Sequence, residues 1–151
     1  MKEYEFKLMG ELSEKLLNEL LIESRKEGFN FVWRLLADYH SGENTFNMNG
    51  EALFGVYHQE HLIALGGVNQ DPYSYKEGVG RLRRFYVKKE FRRAGIGKSL
   101  VHYIINHSKL HFTYLVLNTD TKEADRFYQA IGFQVNSHFP NTTHFLQVRN
   151  T

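Results

Sequence analysis

Residues 85–105 read FYVKKEFRRAGIGKSLVHYII, and the central RRAGIGKS at 92–99 decides what kind of fold surrounds it. Two nucleotide-binding patterns pass close to this stretch. A Walker A loop requires Gly five places before Gly-Lys-Ser, but position 92 is Arg, so the wide triphosphate cradle is incomplete. The dinucleotide pattern GxGxxG keeps Gly95 and Gly97 but has Leu100 in place of the third glycine. What remains is informative. Ile96, Leu100, Val101, Ile104 and Ile105 recur on one helical face, so a helix starts at the glycines, and RLRRFYV at 81–87 reads as a strand before them. A strand, a glycine turn and a helix aim unpaired backbone N–H groups and a partial positive charge at one point. With Arg92, Arg93 and Lys98 beside it, that point suits a compact polyanion such as a diphosphate.

Outward from this stretch the periodicity changes twice. Leu12, Leu16, Leu17, Leu20 and Leu21 predict an N-terminal helix, and Phe31, Leu35 and Leu36 a shorter second one, with Trp33 assigned to the core. The polar run SGENTFNMNG at 41–50 ends the helical part. EALFGVYH at 51–58 and LIALGGV at 62–68 predict two strands joined by a tight turn at Gln59 and Glu60. The loop DPYSYKEGVG leads into the strand at 81–87. After the helix at the glycines, FTYLVLN at 112–118 is a near-continuous apolar strand. Ala124, Phe127, Tyr128 and Ile131 stripe another helix, which Gly132 stops and the Asp120/Glu123 spacing caps. FQVNSHF and THFLQVR, at 133–139 and 143–149, predict a closing hairpin.

Composition limits the function. A chain of 151 residues with 42% hydrophobic content fills one core, so one domain over residues 1–151 is expected. It has no Cys, which excludes disulfides, cysteine nucleophiles and thiolate metal sites. The opening residues are charged, without the apolar stretch of a signal segment, and no apolar run approaches a membrane span, so a cytoplasmic protein without membrane association is expected. Net charge is only +2, which argues against a general nucleic-acid binder. Its distribution is polarised: between 81 and 98, eight cations face the single acid Glu90. The acidic remainder is expected to favour a partner that is itself cationic. His107 and His111 have the i, i+4 spacing of a zinc pair but no adjacent Glu or third ligand, so no metal is expected and hydrogen-bonded histidines are.

The stretch 85–105 resembles the acyl-CoA motif of the GNAT superfamily of N-acyltransferases: a strand ending in Val87, then Arg92-x-x-Gly95-x-Gly97. EADRFYQAIGF at 123–133 is similar to a second motif of that family, filled by Ala124, Phe127, Tyr128, Gly132 and Phe133. The resemblance implies an α/β fold with a mixed, mostly antiparallel central sheet, flanked by helices and splayed between 81–87 and 112–118, where acyl-CoA lies. It implies that Phe85, Tyr86 and Val87 offer backbone groups to the pantetheine arm. Arg92, Arg93, Ala94, Gly95, Ile96, Gly97 and Lys98 would hold the pyrophosphate, and Tyr128 would protonate the departing thiolate. Thr121 stands where many members have Asn; it still caps a helix or donates to the co-substrate. The implied activity is acetyl transfer from acetyl-CoA to a primary amine, of a small molecule or a peptide, by direct attack in a ternary complex. A homodimer is an expected assembly.

Such chemistry needs a base, because an alkyl amine is mostly protonated at neutral pH. Family members often carry a carboxylate on the strand before the phosphate loop, and RLRRFYV has none. Guanidinium groups do not serve as bases. The candidates are Asp71 and Glu77 in the preceding loop and Glu51 at the start of an earlier strand, with a water chain as the other source. Tyr73 and Tyr75 are candidates to line an amine pocket or to pack as lid residues. The missing strand carboxylate leaves a second function open, a non-catalytic acyl-CoA sensor or interaction module on the same fold.

Overall fold

In the computed structural model, which describes residues 3–135 and 138–150, the glycine turn sits at the centre of one α/β sheet structure. The elements follow in the order β1 (Glu5–Leu8), α1 (Glu14–Lys26), α2 (Phe31–Ser41), β2 (Ala52–His58), β3 (His61–Gln70) and β4 (Val79–Val87). A short 3-10 turn at Lys89–Phe91 leads to α3 (Ile96–Ser108), β5 (Tyr114–Leu117), α4 (Lys122–Ile131), β6 (Gln134–Val135) and β7 (His144–Gln147). The seven strands form one open sheet in the order β1-β2-β3-β4-β5-β7-β6. Every neighbouring pair is antiparallel except β4 and β5. Among the described residues no helix is long and apolar enough to cross a membrane.

Alternation along the central strands builds two cores, one on each face of the sheet. Leu53, Leu62, Leu65 and Tyr86 meet Leu17, Leu20 and Leu21 of α1 and Val32, Leu35 and Leu36 of α2. Phe54, Val56, Ala64, Val68 and Leu82 meet Leu100, Val101 and Ile104 of α3 and Tyr128 of α4 on the opposite face. The helices start where capping side chains allow. The Ser13 hydroxyl accepts from the Leu16 N–H at 3.1 Å, and the Thr121 hydroxyl from the Ala124 N–H at 3.1 Å. The α4 cap is therefore Thr121, one residue after the expected Asp120, because Thr121 holds the extended backbone that an N-cap requires.

Three further readings change. Trp33 is 48% exposed, not core, since Val32 and Leu36 fix the inward face of α2 and leave position 33 outside it. Residues 5–8 form an edge strand paired with β2, where the sequence shows only a charged leader. The strand expected at 112–118 is shorter, with Phe112 buried before β5 begins. The expected hairpin turn is present: Gln59 and Glu60 both have left-handed φ, +50° and +69°, the twist that suits a two-residue connection between β2 and β3. The closing hairpin pairs Gln134 with Phe145 and Val135 with His144, and the expected strand positions 136 and 137 lie outside the described residues.

Candidate active site

The parallel pair β4–β5 is joined only where Val79, Gly80 and Arg81 meet Tyr114, Leu115 and Val116. Beyond it β4 runs on from Leu82 to Val87 while β5 stops at Leu117 and turns away toward β7. The two strands part there, leaving one edge of β4 without a strand partner among the described residues. Aromatic rings border this opening. Phe85 lies 5.8 Å from Phe127 and 6.2 Å from Tyr128, centroid to centroid. Gly66 makes room on β3: a Cβ there would stand 2.8 Å from the Phe85 ring.

Tyr128 is 6% exposed, and nothing among the described residues hydrogen-bonds its hydroxyl. Burial pushes the phenol pKa up, so its proton is held firmly at neutral pH. Its ring packs edge-on against Phe127 and Phe133, which fixes its direction without using the polar end.

At the mouth of the opening, the chain passes from β4 through Lys88 to Gly95 and enters α3. Gly95 has φ +80°, the left-handed geometry that glycine adopts without strain, and Arg93 carries the same geometry at +68°. Gly97 is required for another reason. A Cβ there would sit 3.3 Å from Phe127 and 3.5 Å from Val87, so its bareness lets α3 approach α4. Ile96 is buried in the core, while Ala94 and Lys98 are exposed.

The cations at this turn divide into two kinds. The Arg92 guanidinium donates to both carboxylate oxygens of Glu27 at 2.9 and 2.6 Å, and its Nε donates to the Val87 carbonyl at 2.9 Å. Arg92 therefore ties the end of β4 to α1, and it closes off one of the backbone acceptors expected to meet pantetheine. Hydrogen bonds from Arg92 bring Glu27 down to about 2, and burial of Glu27 opposes them. Tyr86 belongs to the same cluster: its hydroxyl donates toward Glu23 at 2.5 Å and toward Glu27. Arg93 and Lys98 have no side-chain partner among the described residues. They and the first N–H groups of α3 make up the free positive end of the turn.

Toward the α2 side, a groove of about 550 Å³ is lined by residues from α2, the following loop, β3 and β4. Of the three base candidates it brings in Glu51 alone. One Glu51 oxygen accepts from the Met48 N–H at 3.1 Å and the other from the Gln70 N–H at 2.9 Å. Asp71 lies elsewhere, in a buried pair with Arg81 at 2.7 Å, and it also accepts from the Ser74 hydroxyl. Arg81 extends this link to the Asn141 carbonyl at 2.9 Å and the Thr142 hydroxyl at 2.7 Å. Glu77 is exposed on the same loop and does not line this groove. The Tyr73 ring covers the Arg81 guanidinium at 4.9 Å, and Tyr75 stands fully in solvent. His107 is committed to the Gly50 carbonyl at 3.0 Å, the hydrogen-bonded role expected of it. Thr121 uses its hydroxyl on the α4 cap.

Two features at the groove carried no sequence signal. Asn44 and Asn69 exchange side-chain amide hydrogen bonds at 3.0 and 2.9 Å, pinning the loop after α2 to β3. In β4, Leu65 opposes Tyr86 while Gly67 opposes Arg83, so Arg84 and Phe85 both face Gly66: a β-bulge, with Arg84 at φ +58°.

The model of the acetyltransferase (GNAT) domain matches residues 49–135, which span β2 through β6 and so include the bulge, the glycine turn and Tyr128. The chain belongs to the GNAT acetyltransferase family. A solved acetyltransferase candidate from Exiguobacterium sp. 255-15 is 32% identical, with a TM-score of 0.84 over 96% of this chain and 93% of that one. A GNAT acetyltransferase from Staphylococcus aureus Mu50 shares the fold at 17% identity, TM-score 0.75, over 97% of this chain and 99% of the other. So does a spermidine N-acetyltransferase chimera from Vibrio cholerae and hSSAT, at 16% identity and TM-score 0.70, over 96% and 95%. No curated protein matches the sequence. As a GNAT member the chain is an acyltransferase, and its open sheet with four helices is the GNAT fold.

Proposed function

We propose that this GNAT protein transfers an acetyl group from acetyl-CoA to a primary amine by direct attack within a ternary complex. The observation that carries the reading is the parting of β4 and β5 beside Tyr128. It opens a strand edge next to a phenol, and among the described residues neither that edge nor the phenol hydroxyl has another partner. In this reading Phe85 and Tyr86 offer backbone groups of that edge to the pantetheine arm. The N-terminus of α3, with Arg93, Lys98 and the turn at Ala94–Gly97, takes the pyrophosphate. Arg92 contributes by holding the turn through Glu27.

The reaction then needs three things at the thioester. The amine nitrogen attacks the carbonyl carbon, the C–S bond breaks as C–N forms, and one proton leaves the nitrogen while another reaches the sulfur. Glu51 is the base the groove supports, directly or through water, because it alone of the three candidates borders that groove. Tyr128 supplies the proton to sulfur. Although its pKa is raised, a thiolate released into the same apolar surroundings is destabilised by the same desolvation, so the transfer stays matched.

Titration with acetyl-CoA, followed by an amine panel with release of free CoA as the signal, tests the reading. It predicts native-state stabilisation of about 2.7 kcal/mol at a hundredfold excess over Kd, and amine-dependent CoA release. A protein that acetyl-CoA leaves unstabilised refutes it.

A further inference from the structure

The groove opposite the phosphate turn differs in charge from what the acidic remainder of the sequence suggests. Three guanidinium groups border it: Arg34 from α2 and the adjacent pair Arg83 and Arg84 from β4. Adjacent residues on a regular strand point to opposite faces. Here the bulge breaks the alternation, so Leu82 and Phe85 both pack on the α3 side while Arg83 and Arg84 both line the groove. A left-handed φ of +58° at Arg84, uncommon for a residue with a side chain, is what this arrangement requires.

Like charges brought together in this way repel unless an anion joins them. Arg84 has a side chain only 11% exposed; it reaches Asp38 at 3.3 Å, yet its Nε has no hydrogen-bond partner among the described residues. Burial, and the nearby Arg83 and Arg34, pull its pKa below the ordinary arginine value, against the opposing effect of Asp38. Neither Arg34 nor Arg83 has a side-chain partner among the described residues. The acids of the groove are Asp38, Glu43 and Glu51, so its formal charge balances. A balanced wall of guanidinium and carboxylate groups complements a ligand that carries both signs.

Resting on the acetyl-CoA-dependent reading above, we infer that the acceptor is a zwitterionic amine of the amino-acid class. Its carboxylate lies on the cluster Arg34, Arg83 and Arg84, and its amine lies toward Glu51 and the β4–β5 opening. Guanidinium forks match a carboxylate in plane and charge. A groove of about 550 Å³ is of the size that holds one small molecule. A dianionic phosphate fits less well, because three carboxylates share the wall with the three cations.

The test uses binding, so that it does not depend on turnover. With the protein saturated by CoA, a panel of α-amino acids is titrated calorimetrically, each beside its own carboxamide and beside a linear polyamine. The best amino acid is expected to bind at least about tenfold more tightly than its carboxamide at low salt, as a charge-assisted contact should. Arg83→Gln should reduce that ratio to about threefold or less, and Arg34→Gln, on a separate element, should reduce it independently. Melting temperatures check that both variants fold. Equal affinity for amino acid and carboxamide, tighter binding of the polyamine, or no binding by any amino acid overturns the inference while retained CoA binding leaves the acetyl-CoA reading standing. Failure of CoA itself to bind defeats the reading and the inference together.

Discussion

Asp71 and Arg81 form an ion pair at 2.7 Å with both side chains almost wholly removed from solvent, at 0% and 5% exposure. A carboxylate so placed anchors the loop after β3 to the segment at residues 140–142, through the further bonds Arg81 makes there. Asp71→Asn leaves a buried guanidinium without its counter-charge, and chemical denaturation should show a loss of about 3 kcal/mol. A base at this position would instead lower kcat/KM with stability intact, and that result would reinstate Asp71 in the chemistry.

Glu51→Gln is expected to reduce kcat/KM by roughly a hundredfold near neutral pH. The deficit should shrink as pH rises and the amine loses its proton unaided. A pH–rate profile of the variant parallel to that of the parent would assign the proton to water or to another group.

For Tyr128→Phe the expected outcome is an unchanged melting temperature and acetyl-CoA affinity, because the ring packing is kept and the hydroxyl has no partner to lose among the described residues. Single-turnover kinetics should show a chemical step at least about tenfold slower, a barrier higher by roughly 1.4 kcal/mol. An undiminished step would reduce the residue to packing and favour an acyl-CoA-binding module without turnover.

The neighbours Arg92 and Arg93 should separate into different phenotypes. Replacing Arg93 and Lys98 together by Gln should weaken acetyl-CoA binding by at least about tenfold and flatten its salt dependence. Arg92→Gln should chiefly destabilise the fold, by about 1–2 kcal/mol, since its bonds run to Glu27 and Val87. Paired denaturation and titration experiments distinguish them; the opposite pattern would exchange their roles.

Acid titration offers a check on the same cluster. The folded pKa of Glu27 lies near 2, below its ordinary value, so its contribution is present above about pH 4.5 and is lost as pH falls through the folded value. Because Glu27 and Arg92 retain some solvent contact, the contribution is about 1–2 kcal/mol. Between pH 5 and pH 2 the parent should lose that much more stability than Glu27→Gln; equal slopes in urea denaturation would contradict the pairing.

What the sequence discloses of this molecule follows the physics of each signal. The stripe through Ala124, Tyr128 and Ile131 and the glycine turn into α3 depend on near neighbours, so spacing alone reveals them. Trp33 and Val32 are adjacent apolar residues, and only the packing of α2 on the sheet decides which turns inward. Arg92 and Arg93 are chemically identical, and the positive φ at Arg93 that turns them apart leaves no trace in composition. Distant partners are equally silent: Asp71 with Arg81 and residues 140–142, or Asn44 with Asn69, become visible only once the chain is folded.

The extra residue in β4 makes counting, rather than chemistry, the rigid property of that strand. Pairing every residue from Leu82 to Phe85 regularly with β3, without the bulge, would restore strict alternation and reverse the parity of everything after Arg83. Phe85 would then swing toward the acceptor side, and the buried Tyr86 ring would turn toward the face that α3 covers. Exchanging the side chain at position 84 disturbs no such order. Arg84 is thus the residue that the bulge absorbs, so its side chain can vary while the strand edge beside Phe85 keeps its course.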